Sequence, residues 1–356
     1  MIGVLDSVGS PRIAAAEALE RVLRRADRAR PVAVLCHFDA DGLSAGAIMV
    51  RALSAAGWSA TPLPVGKGET AWDASVQQRL SDVGPSALIV ADLGTRAEPV
   101  VEGAPTLVID HHTPTGEPKG AVTLSGHGLE PEPTTALLAW WAAGALGDQG
   151  DLLWLAAIGL IGDMADEAGF PELAQAQGRW GKTALKDAVS LINAPRRTAA
   201  ADPWPALRLL LSADGPKAIT RGGDADARAL VQAKQEVREA MDAAKRVAPK
   251  IAGDVAMIRF SSGCQVHPLI AQQWRGRLQD KIVLAANTGY RPGWVHFAAR
   301  SATGRNLIDF LAEHRPPGAD DRYGNGHAQA TGGALRIADW NAFVADLGLP
   351  DQQVDA

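Results

Sequence analysis

The chain has few cysteines, no long apolar run and no strong excess of charge, and each absence excludes a class of protein. Its 2 cysteines, Cys36 and Cys264, are too few for a disulfide scaffold or a four-cysteine zinc site, and they suit a reducing compartment. No apolar run approaches the ~18 residues of a membrane span. The N-terminal segment lacks the basic patch and apolar core of a secretory signal. We therefore expect a cytoplasmic protein that does not enter a membrane.

The net charge of −5 over 356 residues does not by itself indicate a nucleic-acid-binding protein, but the charges are unevenly distributed. Residues 1–178 hold 22 acidic and 11 basic side chains, whereas residues 179–250 hold 14 basic and 8 acidic ones. Residues 259–305 hold 7 basic side chains and 1 acidic one. An acidic first half needs cations to meet an anionic substrate, and a basic second half can hold such a substrate itself. Ordinary solvated helix faces are the alternative interpretation for most of these charges.

The composition, 47% hydrophobic and 21% charged, is typical of a folded protein, and 356 residues suit two domains better than one. In the first half, short apolar runs at Val32–Cys36, Ala87–Ala91 and Thr106–Ile109 alternate with helical patterns such as Leu43–Ala56. This alternation predicts an α/β fold in which crossover helices join the strands of a parallel sheet.

The second half contains a long helical pattern followed by a second α/β pattern. Ala225–Val247 has few helix-breaking residues, many alanines and mixed charges, so it is predicted as one exposed helix that connects two domains. From Val255 onward, strands and helices alternate again. We therefore predict an N-terminal domain over residues 1–224, a connecting helix over 225–250 and a smaller C-terminal α/β domain over 251–356.

Metal-binding residue types follow the three predicted strands of the first half directly. His37-Phe38-Asp39-Ala40-Asp41-Gly42 follows the first strand, Asp92 the second, and Asp110-His111-His112 the third. Asp163 follows a further apolar stretch. Taken singly, an aspartate after a strand is most often a helix cap or a turn residue, and a single histidine is usually an ordinary polar residue. Because the carboxyl ends of parallel strands line one crevice, we expect these side chains to converge there.

Five carboxylates in one crevice are electrostatically costly unless cations lie between them. Mixed carboxylate and imidazole ligands suit manganese, with iron, cobalt or zinc as alternatives. Two ions ~3.5–4 Å apart, bridged by a shared carboxylate, are a recurrent device for hydrolysing phosphate esters. The pattern therefore predicts two divalent metal ions, with manganese preferred.

These motifs, in this order, resemble those of the DHH phosphoesterases. A second set near the C-terminus resembles the glycine-rich domain that accompanies the RecJ-like branch of that family. The residues of this second set are Arg300-Ser301, Gly324-Asn325-Gly326-His327 and Thr331-Gly332-Gly333. Asn325 and Gln329 depart from the glycine and the small or apolar residues of many relatives. The resemblance implies an N-terminal DHH domain that binds metal and a C-terminal domain that binds the substrate.

The resemblance also implies a role for each residue. His37, Asp39, Asp92 and Asp163 would surround one ion, and Asp41, Asp92 and His111 the other. Asp92 would be shared, and the side to which Asp163 belongs is open. Asp110 would orient a histidine, and His112 would contact the scissile phosphate or help the leaving group. The residues implied in substrate binding are Arg300, Ser301, Gly324, Gly326 and His327.

The activity implied is that of a manganese-dependent phosphodiesterase or exonuclease acting on short single-stranded nucleic acids. We identify no OB-type domain of the kind that grips long strands in RecJ exonucleases, which favours oligonucleotides or nucleotides as substrates. One alternative is a phosphatase acting on a nucleotide 3'-phosphate, a cyclic dinucleotide or polyphosphate. Another is a non-catalytic nucleic-acid-binding protein of the DHH type, against which the complete carboxylate set argues.

Overall fold

The computed structural model describes residues 10–320 and 323–355. The N-terminal segment, on which the expectation about a secretory signal rests, lies outside these residues. The chain forms two compact units. Unit 1 contains the residues up to Arg196 together with Ala201–Gln232, and unit 2 contains Arg197–Ala200 together with the chain from Ala233 onward. Among the described residues, no helix combines the length and the apolar character that crossing a bilayer requires.

Unit 1 is built on a five-stranded, fully parallel sheet, which we call sheet A. Its strands are β1 (Val32–Cys36), β2 (Ala60–Pro64), β3 (Ala87–Ala91), β4 (Thr106–Asp110) and β5 (Val122–Ser125), in the spatial order β2-β1-β3-β4-β5. β1 and β3 are buried along their whole length, as expected for central strands covered on both faces.

Helices cover the two faces of sheet A unequally. The first five are α1 (Pro11–Leu23), α2 (Ala40–Ala55), α3 (Ala74–Val83), α4 (Thr135–Ala143) and α5 (Leu153–Gly162). α1, α2, α4 and α5 form the larger apolar core on one face, whereas α3 and loops cover the other face. The almost entirely apolar sequence of α5 is explained by this position, because it is buried from Leu153 to Leu160.

Five more helices follow in the chain. They are α6 (Pro171–Trp180), α7 (Lys182–Ile192), α8 (Trp204–Ser212), α9 (Pro216–Arg221) and α10 (Ala225–Ala244). The division between the two units falls within α10, between Gln232 and Ala233. The domain bounds predicted from the sequence remain a prediction.

Unit 2 has a six-stranded mixed sheet, sheet B, in the order β10-β11-β9-β8-β7-β6. The strands are β6 (Lys250–Ala252), β7 (Val255–Phe260), β8 (Ile282–Arg291), β9 (Trp294–Ser301), β10 (Asn325–His327) and β11 (Ala330–Arg336). The helices are α11 (His267–Arg275), α12 (Leu307–Glu313) and α13 (Ile337–Asp346). α11 connects β7 to β8, the one parallel pair in the described part of sheet B. The predicted α/β class, with a parallel sheet followed by a second α/β unit, is confirmed.

Candidate metal centre

The strand order of sheet A places its chain reversal between β1 and β3. The connection after β1 leads to β2 on one side, whereas β3 continues toward β4 and β5 on the other. In open parallel sheets, the crevice outside the carboxyl ends of the strands at such a reversal is where ligands bind. The loop His37–Gly42 follows β1 and Asp92 follows β3, so both lie at this point.

The first group of possible ligands consists of His37, Asp39 and Asp92, whose donor atoms lie within 4.8 Å of one another. His37 Nδ1 is 3.1 Å from Asp39 Oδ2 and 3.4 Å from Asp92 Oδ2. Asp39 is also the N-cap of α2, and its Oδ1 accepts a hydrogen bond from the Gly42 amide at 3.1 Å. One carboxylate thus both fixes the start of the helix and contributes to the site.

The second group consists of Asp41, His111 and Asp163. His111 Nε2 is 3.1 Å from Asp163 Oδ2 and 4.0 Å from Asp41 Oδ2. Asp41 is fully buried, and it accepts hydrogen bonds from the backbone amides of Thr135 and Ala136 at the start of α4, at 2.8 and 2.9 Å. The structure therefore places Asp163 beside Asp41 and His111, whereas the family resemblance grouped it with His37, Asp39 and Asp92 and left its side open.

Asp92 lies between the two groups. Its Oδ2 faces His37, and its Oδ1 is 3.8 Å from His111 Nε2. The Thr135 hydroxyl donates to Oδ1 at 3.1 Å. Asp92 also has a φ of 66°, in the left-handed region that residues other than glycine seldom adopt. The strained backbone and the two-sided contacts place one carboxylate where it can face two cations.

Asp110 and His112 form a pair at the edge of the site. His112 Nδ1 is 2.9 Å from Asp110 Oδ1, which also accepts the His112 amide at 2.7 Å. The other oxygen of Asp110 accepts the Gly94 amide at 2.6 Å. Asp110 is fully buried, whereas the His112 side chain is 58% exposed. The carboxylate therefore holds the ring by Nδ1, and Nε2 remains the nitrogen with which His112 can act.

The pKa values show that the site has an excess of negative charge. Burial and the nearby Asp39 raise the pKa of Asp92 to about 6. Burial, Asp92 and Asp163 raise the pKa of Asp41 well above its usual value. Burial opposes the charged form of His37, but Asp39 and Asp92 raise its pKa to about 10. Likewise, against burial, neighbouring carboxylates raise the pKa of His111 to about 9. Without metal, the site therefore retains protons where cations would fit.

The donor set fits two divalent ions. His37 Nδ1 and His111 Nε2 are both buried and each lies 3.1 Å from a carboxylate oxygen, but neither forms a hydrogen bond of regular geometry. A buried imidazole nitrogen that faces several carboxylates without a regular hydrogen bond is well placed to bind a cation. A metal ion at each group would satisfy these nitrogens and offset the carboxylates together. Oxygen ligands with one imidazole at each group are compatible with manganese.

Four further residues of the site belong to no motif that the sequence analysis identified. Thr135 hydrogen-bonds Asp92 as described, and Arg196 donates to Asp39 Oδ2 at 2.6 Å. Asn193 Oδ1 accepts the Ala40 amide at 3.0 Å. A Cβ at Gly159 would lie 2.2 Å from Asp41 Oδ1, so only glycine allows α5 to pass this carboxylate. Asn193 and Arg196 are more than 150 residues from their partners, so no local pattern could reveal them.

The predicted substrate-binding residues are all in unit 2, where Arg300 and His327 belong to one row across sheet B. His327 pairs with Ala330, which pairs with Arg300 on the next strand, so the two side chains lie on the same face. Arg300 is half-buried, and its Nη1 donates to the carbonyls of Ala299 and Thr331 at 2.8 and 3.1 Å. His327 is exposed.

The remaining predicted substrate-binding residues have structural explanations. Ser301 is fully buried, and its hydroxyl lies 2.9 Å from that of Thr303. Gly324 and Gly326 have φ values of 83° and 133°. A Cβ at Gly326 would lie 2.5 Å from the Ala330 carbonyl, so glycine is required for β10 to approach β11. The geometry of the β10–β11 hairpin thus accounts for these glycines without any contact to a substrate.

Comparison with known proteins identifies RecJ as similar in both sequence and fold. No family model matches the chain. The single-stranded-DNA-specific exonuclease RecJ of Thermus thermophilus is 29% identical over 93% of this chain and 53% of its own length. A crystal structure of exonuclease RecJ bound to manganese superposes with a TM-score of 0.69 at 22% identity, covering 98% of this chain and 95% of that one. The structure of RecJ from Thermus thermophilus in complex with Mn²⁺ superposes with a TM-score of 0.68 at 22% identity, covering 99% of this chain and 57% of that one.

The chain spans about half the length of the curated relative that it matches. The solved structures share its fold across both units. The resemblance to the RecJ-like branch of the DHH phosphoesterases, which the motifs indicated, is therefore confirmed in sequence and in fold.

Proposed function

We propose that this RecJ-like DHH protein is a metal-dependent phosphoesterase that hydrolyses phosphodiester bonds of short single-stranded nucleic acids, using two divalent ions, with manganese preferred. The RecJ relative is named for its action on single-stranded DNA, and crystal structures of RecJ have been obtained with Mn²⁺ and Mg²⁺. The proposal assumes that this chain acts on the same class of substrate as the RecJ relative, and it adds a role for each residue of the site.

The observation that carries the proposal is the position of Asp92 between two buried imidazole nitrogens, each of which faces carboxylate oxygens. Its two oxygens face His37 Nδ1 and His111 Nε2, and each imidazole has a further carboxylate beside it, Asp39 or Asp163, at 3.1 Å. A protein that only bound nucleic acid would be expected to have basic side chains here, because acidic side chains repel phosphates. The arrangement is that of a site that holds metal ions.

The residues divide the chemistry between them. Asp39, His37 and Asp92 would hold one ion, and Asp41, His111, Asp163 and Asp92 the other. When bound, two such ions would lower the pKa of a water molecule and offset the charge of the phosphoryl oxygens. Arg196 offsets part of the charge of Asp39 and thereby positions it.

His112 is the proposed general acid. Its hydrogen bond to Asp110 raises the pKa of the ring and fixes Nδ1, so a proton on Nε2 can pass to the leaving oxygen. The crevice of about 410 Å³ in front of it is lined by His112, Asp163 and the loop residues Glu69 and Thr70. It is large enough for a phosphodiester and part of a nucleoside.

Unit 2 is proposed to bind the part of the substrate that does not react. Arg300 offers a guanidinium, which matches a phosphate in shape and charge, and His327 is on the same face of sheet B. Burial, and secondarily the nearby Arg275, lower the pKa of Arg300. We place the reaction in the cytoplasm, where the two unpaired cysteines would stay reduced.

A substrate panel tests the proposal. Bis-nitrophenyl phosphate, a dinucleotide, a 12-nucleotide single strand and adenosine 3',5'-bisphosphate would be incubated with Mn²⁺, Mg²⁺ or EDTA. We expect hydrolysis of the first three with Mn²⁺, less with Mg²⁺ and none with EDTA. Exclusive turnover of the bisphosphate would replace the nucleic-acid substrate by a nucleotide. Binding of the strand without hydrolysis of any ester would identify a non-catalytic binder and refute the proposal.

A further inference from the structure

Helix α7 connects the metal centre to a separate basic hollow within unit 1. At its C-terminal end, Asn193 accepts the Ala40 amide, and Arg196 contacts Asp39 three residues later. The helix contains 11 residues, so its other end at Lys182 is about 16 Å away at 1.5 Å per residue. That end opens onto a hollow of about 300 Å³.

Three of the nine residues that line the hollow are cations, and one is a carboxylate. Lys182, Lys217 and Arg221 are exposed around it, Trp180 forms part of the wall, and Asp187 is its one carboxylate among the described residues. Nearby cations are already neutralised, as in the pair of Lys186 with Asp166 at 3.0 Å. Within the described residues, Lys182, Lys217 and Arg221 form no such ion pair. The charge of Lys182 also acts on Asp166, whose pKa it helps to lower, whereas the charges of Lys217 and Arg221 are available to an anion.

The exposed face of α7 leads from one site to the other. Lys182, Lys186, Ser190 and Asn193 are spaced by 4, 4 and 3 residues, which places them along one face of a helix. Of these, Lys182, Lys186 and Ser190 are exposed. Asp166, which pairs with Lys186, is only three residues beyond Asp163 of the metal centre. A polymer could therefore follow this face without leaving unit 1.

We propose that the hollow is an accessory phosphate-binding site for the backbone of a single-stranded nucleic acid whose reacting end lies at the metal centre. The proposal rests on the proposed function and extends it to substrate length. About 16 Å corresponds to about five nucleotides at the 3.4 Å spacing of a stacked strand, and to fewer in an extended one. Residues 1–178 hold 22 acidic and 11 basic side chains, so a strand crossing unit 1 needs local cations to offset repulsion. A dinucleotide would be too short to reach the hollow, whereas an oligonucleotide of six or more would reach it.

The test compares Lys217→Gln/Arg221→Gln with a matched control, Arg21→Gln/Arg25→Gln. The control removes two exposed positive charges of unit 1 that lie outside the hollow. Binding of fluorescein-labelled strands of 2, 6 and 12 nucleotides would be measured by anisotropy in EDTA, which prevents metal-dependent turnover. We expect the Kd for the 12-mer to rise about 5- to 20-fold in the test variant and less than twofold in the control. The slope of log K against log salt should become shallower by about 1.4, as for two lost phosphate contacts.

Two results would overturn the proposal: an unchanged Kd for the 12-mer, or an equal loss for the dinucleotide and the 12-mer. Manganese-dependent turnover of bis-nitrophenyl phosphate serves as the check on folding and should be unchanged in both variants. If the wild-type protein failed to hydrolyse this ester, the proposed function would fall, while the anisotropy measurement would still report on the hollow.

Discussion

The two units differ in which residue types adopt the left-handed backbone conformation. In the described part of unit 1, three residues other than glycine have a positive φ: Asp92 at 66°, Met164 at 59° and Ala201 at 50°. In the described part of unit 2, every residue with a positive φ is a glycine, including Gly324 and Gly326. A side chain with a Cβ costs free energy in this region, whereas glycine does not. Unit 1 therefore stores strain that unit 2 avoids.

The difference in strain coincides with a difference in buried charge. Two of the strained residues of unit 1 are at the metal centre, since Asp92 is a proposed ligand and Met164 follows Asp163. There, Asp41 and Asp92 are buried beside further carboxylates. At the predicted substrate-binding residues of unit 2, the half-buried charged group is instead a cation, Arg300. Strain and like charge persist together where a site must hold a fixed geometry for a ligand. The comparison supports the proposed metal chemistry in unit 1 and the proposed binding of a substrate phosphate by Arg300 in unit 2.

The largest expected effect comes from Asp92→Ala. Because Asp92 faces both imidazoles, its removal should weaken both metal sites at once and lower turnover by at least about 10²- to 10³-fold, as for the loss of one preorganised electrostatic group. Bound manganese would be counted by mass spectrometry and turnover measured with bis-nitrophenyl phosphate. The control is Asp151→Ala, an exposed carboxylate of the same unit. Two bound ions with near wild-type turnover would break the assignment.

Arg300→Ala tests the other half of the comparison. Loss of a charged contact to phosphate should raise the KM for a phosphorylated oligonucleotide about 10- to 100-fold. Metal content should not change, and the KM for bis-nitrophenyl phosphate should rise much less, since that ester has no second phosphate. Arg277→Ala, which removes an exposed arginine of unit 2, is the control. Equal losses on both substrates would place Arg300 at the reacting phosphate or in the fold, and anion binding by unit 2 would have to be abandoned.

The sequence predicted those parts of both units whose signal is local. β1, β3 and β4 follow from buried apolar runs, and the ligands that come directly after them follow from the parallel topology. β2 (Ala60–Pro64) was not predicted, because prolines at 62 and 64 disfavour a strand, and it is tolerated as the edge strand of sheet A. In unit 2, only the family resemblance predicted that Arg300 and Gly324–His327 belong to one binding site.

What the sequence could not supply is the set of long-range contacts. Arg196 reaches Asp39, and Thr135 reaches Asp92, from positions far along the chain. The need for glycine at Gly159 arises only because α5 passes Asp41. No residue type or spacing near these positions indicates such a contact, because it depends on how the helices pack over sheet A.

The pH dependence of stabilisation by metal should sharpen the description of unit 1. Without metal, burial and neighbouring carboxylates raise the pKa of Asp92 to about 6, and carboxylates raise that of His111 to about 9 against the effect of burial. Metal binds the deprotonated forms, so binding releases protons and its contribution to stability should increase as the pH rises from 6 to 8.5. The increase should be about 1.4 kcal/mol per pH unit for each proton released.

Thermal unfolding with Mn²⁺ and with EDTA across this pH range would measure the difference in Tm. Calorimetry in two buffers of different ionisation enthalpy would count the protons. Asp92→Ala should flatten the dependence. A difference in Tm that stays constant with pH would show that the metal does not compete with protons at these residues.

The smallest expected effect concerns the strain at Met164. The residue ends α5 in a Schellman motif, in which the Ala165 amide bonds the Leu160 carbonyl at 2.8 Å and the Met164 amide bonds that of Ile161 at 3.3 Å. Glycine is usual at this position, and the side chain of Met164 is 86% exposed, so Met164→Gly removes strain without removing packing. In EDTA the variant should be more stable to urea by about 0.5–1 kcal/mol, since relief of strain exceeds the added entropy of the unfolded chain. Met164→Ala keeps a Cβ in the same conformation and should gain nothing.

If strain holds Asp163 in place, the glycine variant should also bind Mn²⁺ about 2- to 5-fold more weakly, while the alanine variant binds it normally. A glycine variant that is more stable and binds manganese as tightly as the wild type would separate strain from metal binding in unit 1, and the contrast with unit 2 would then rest on buried charge alone.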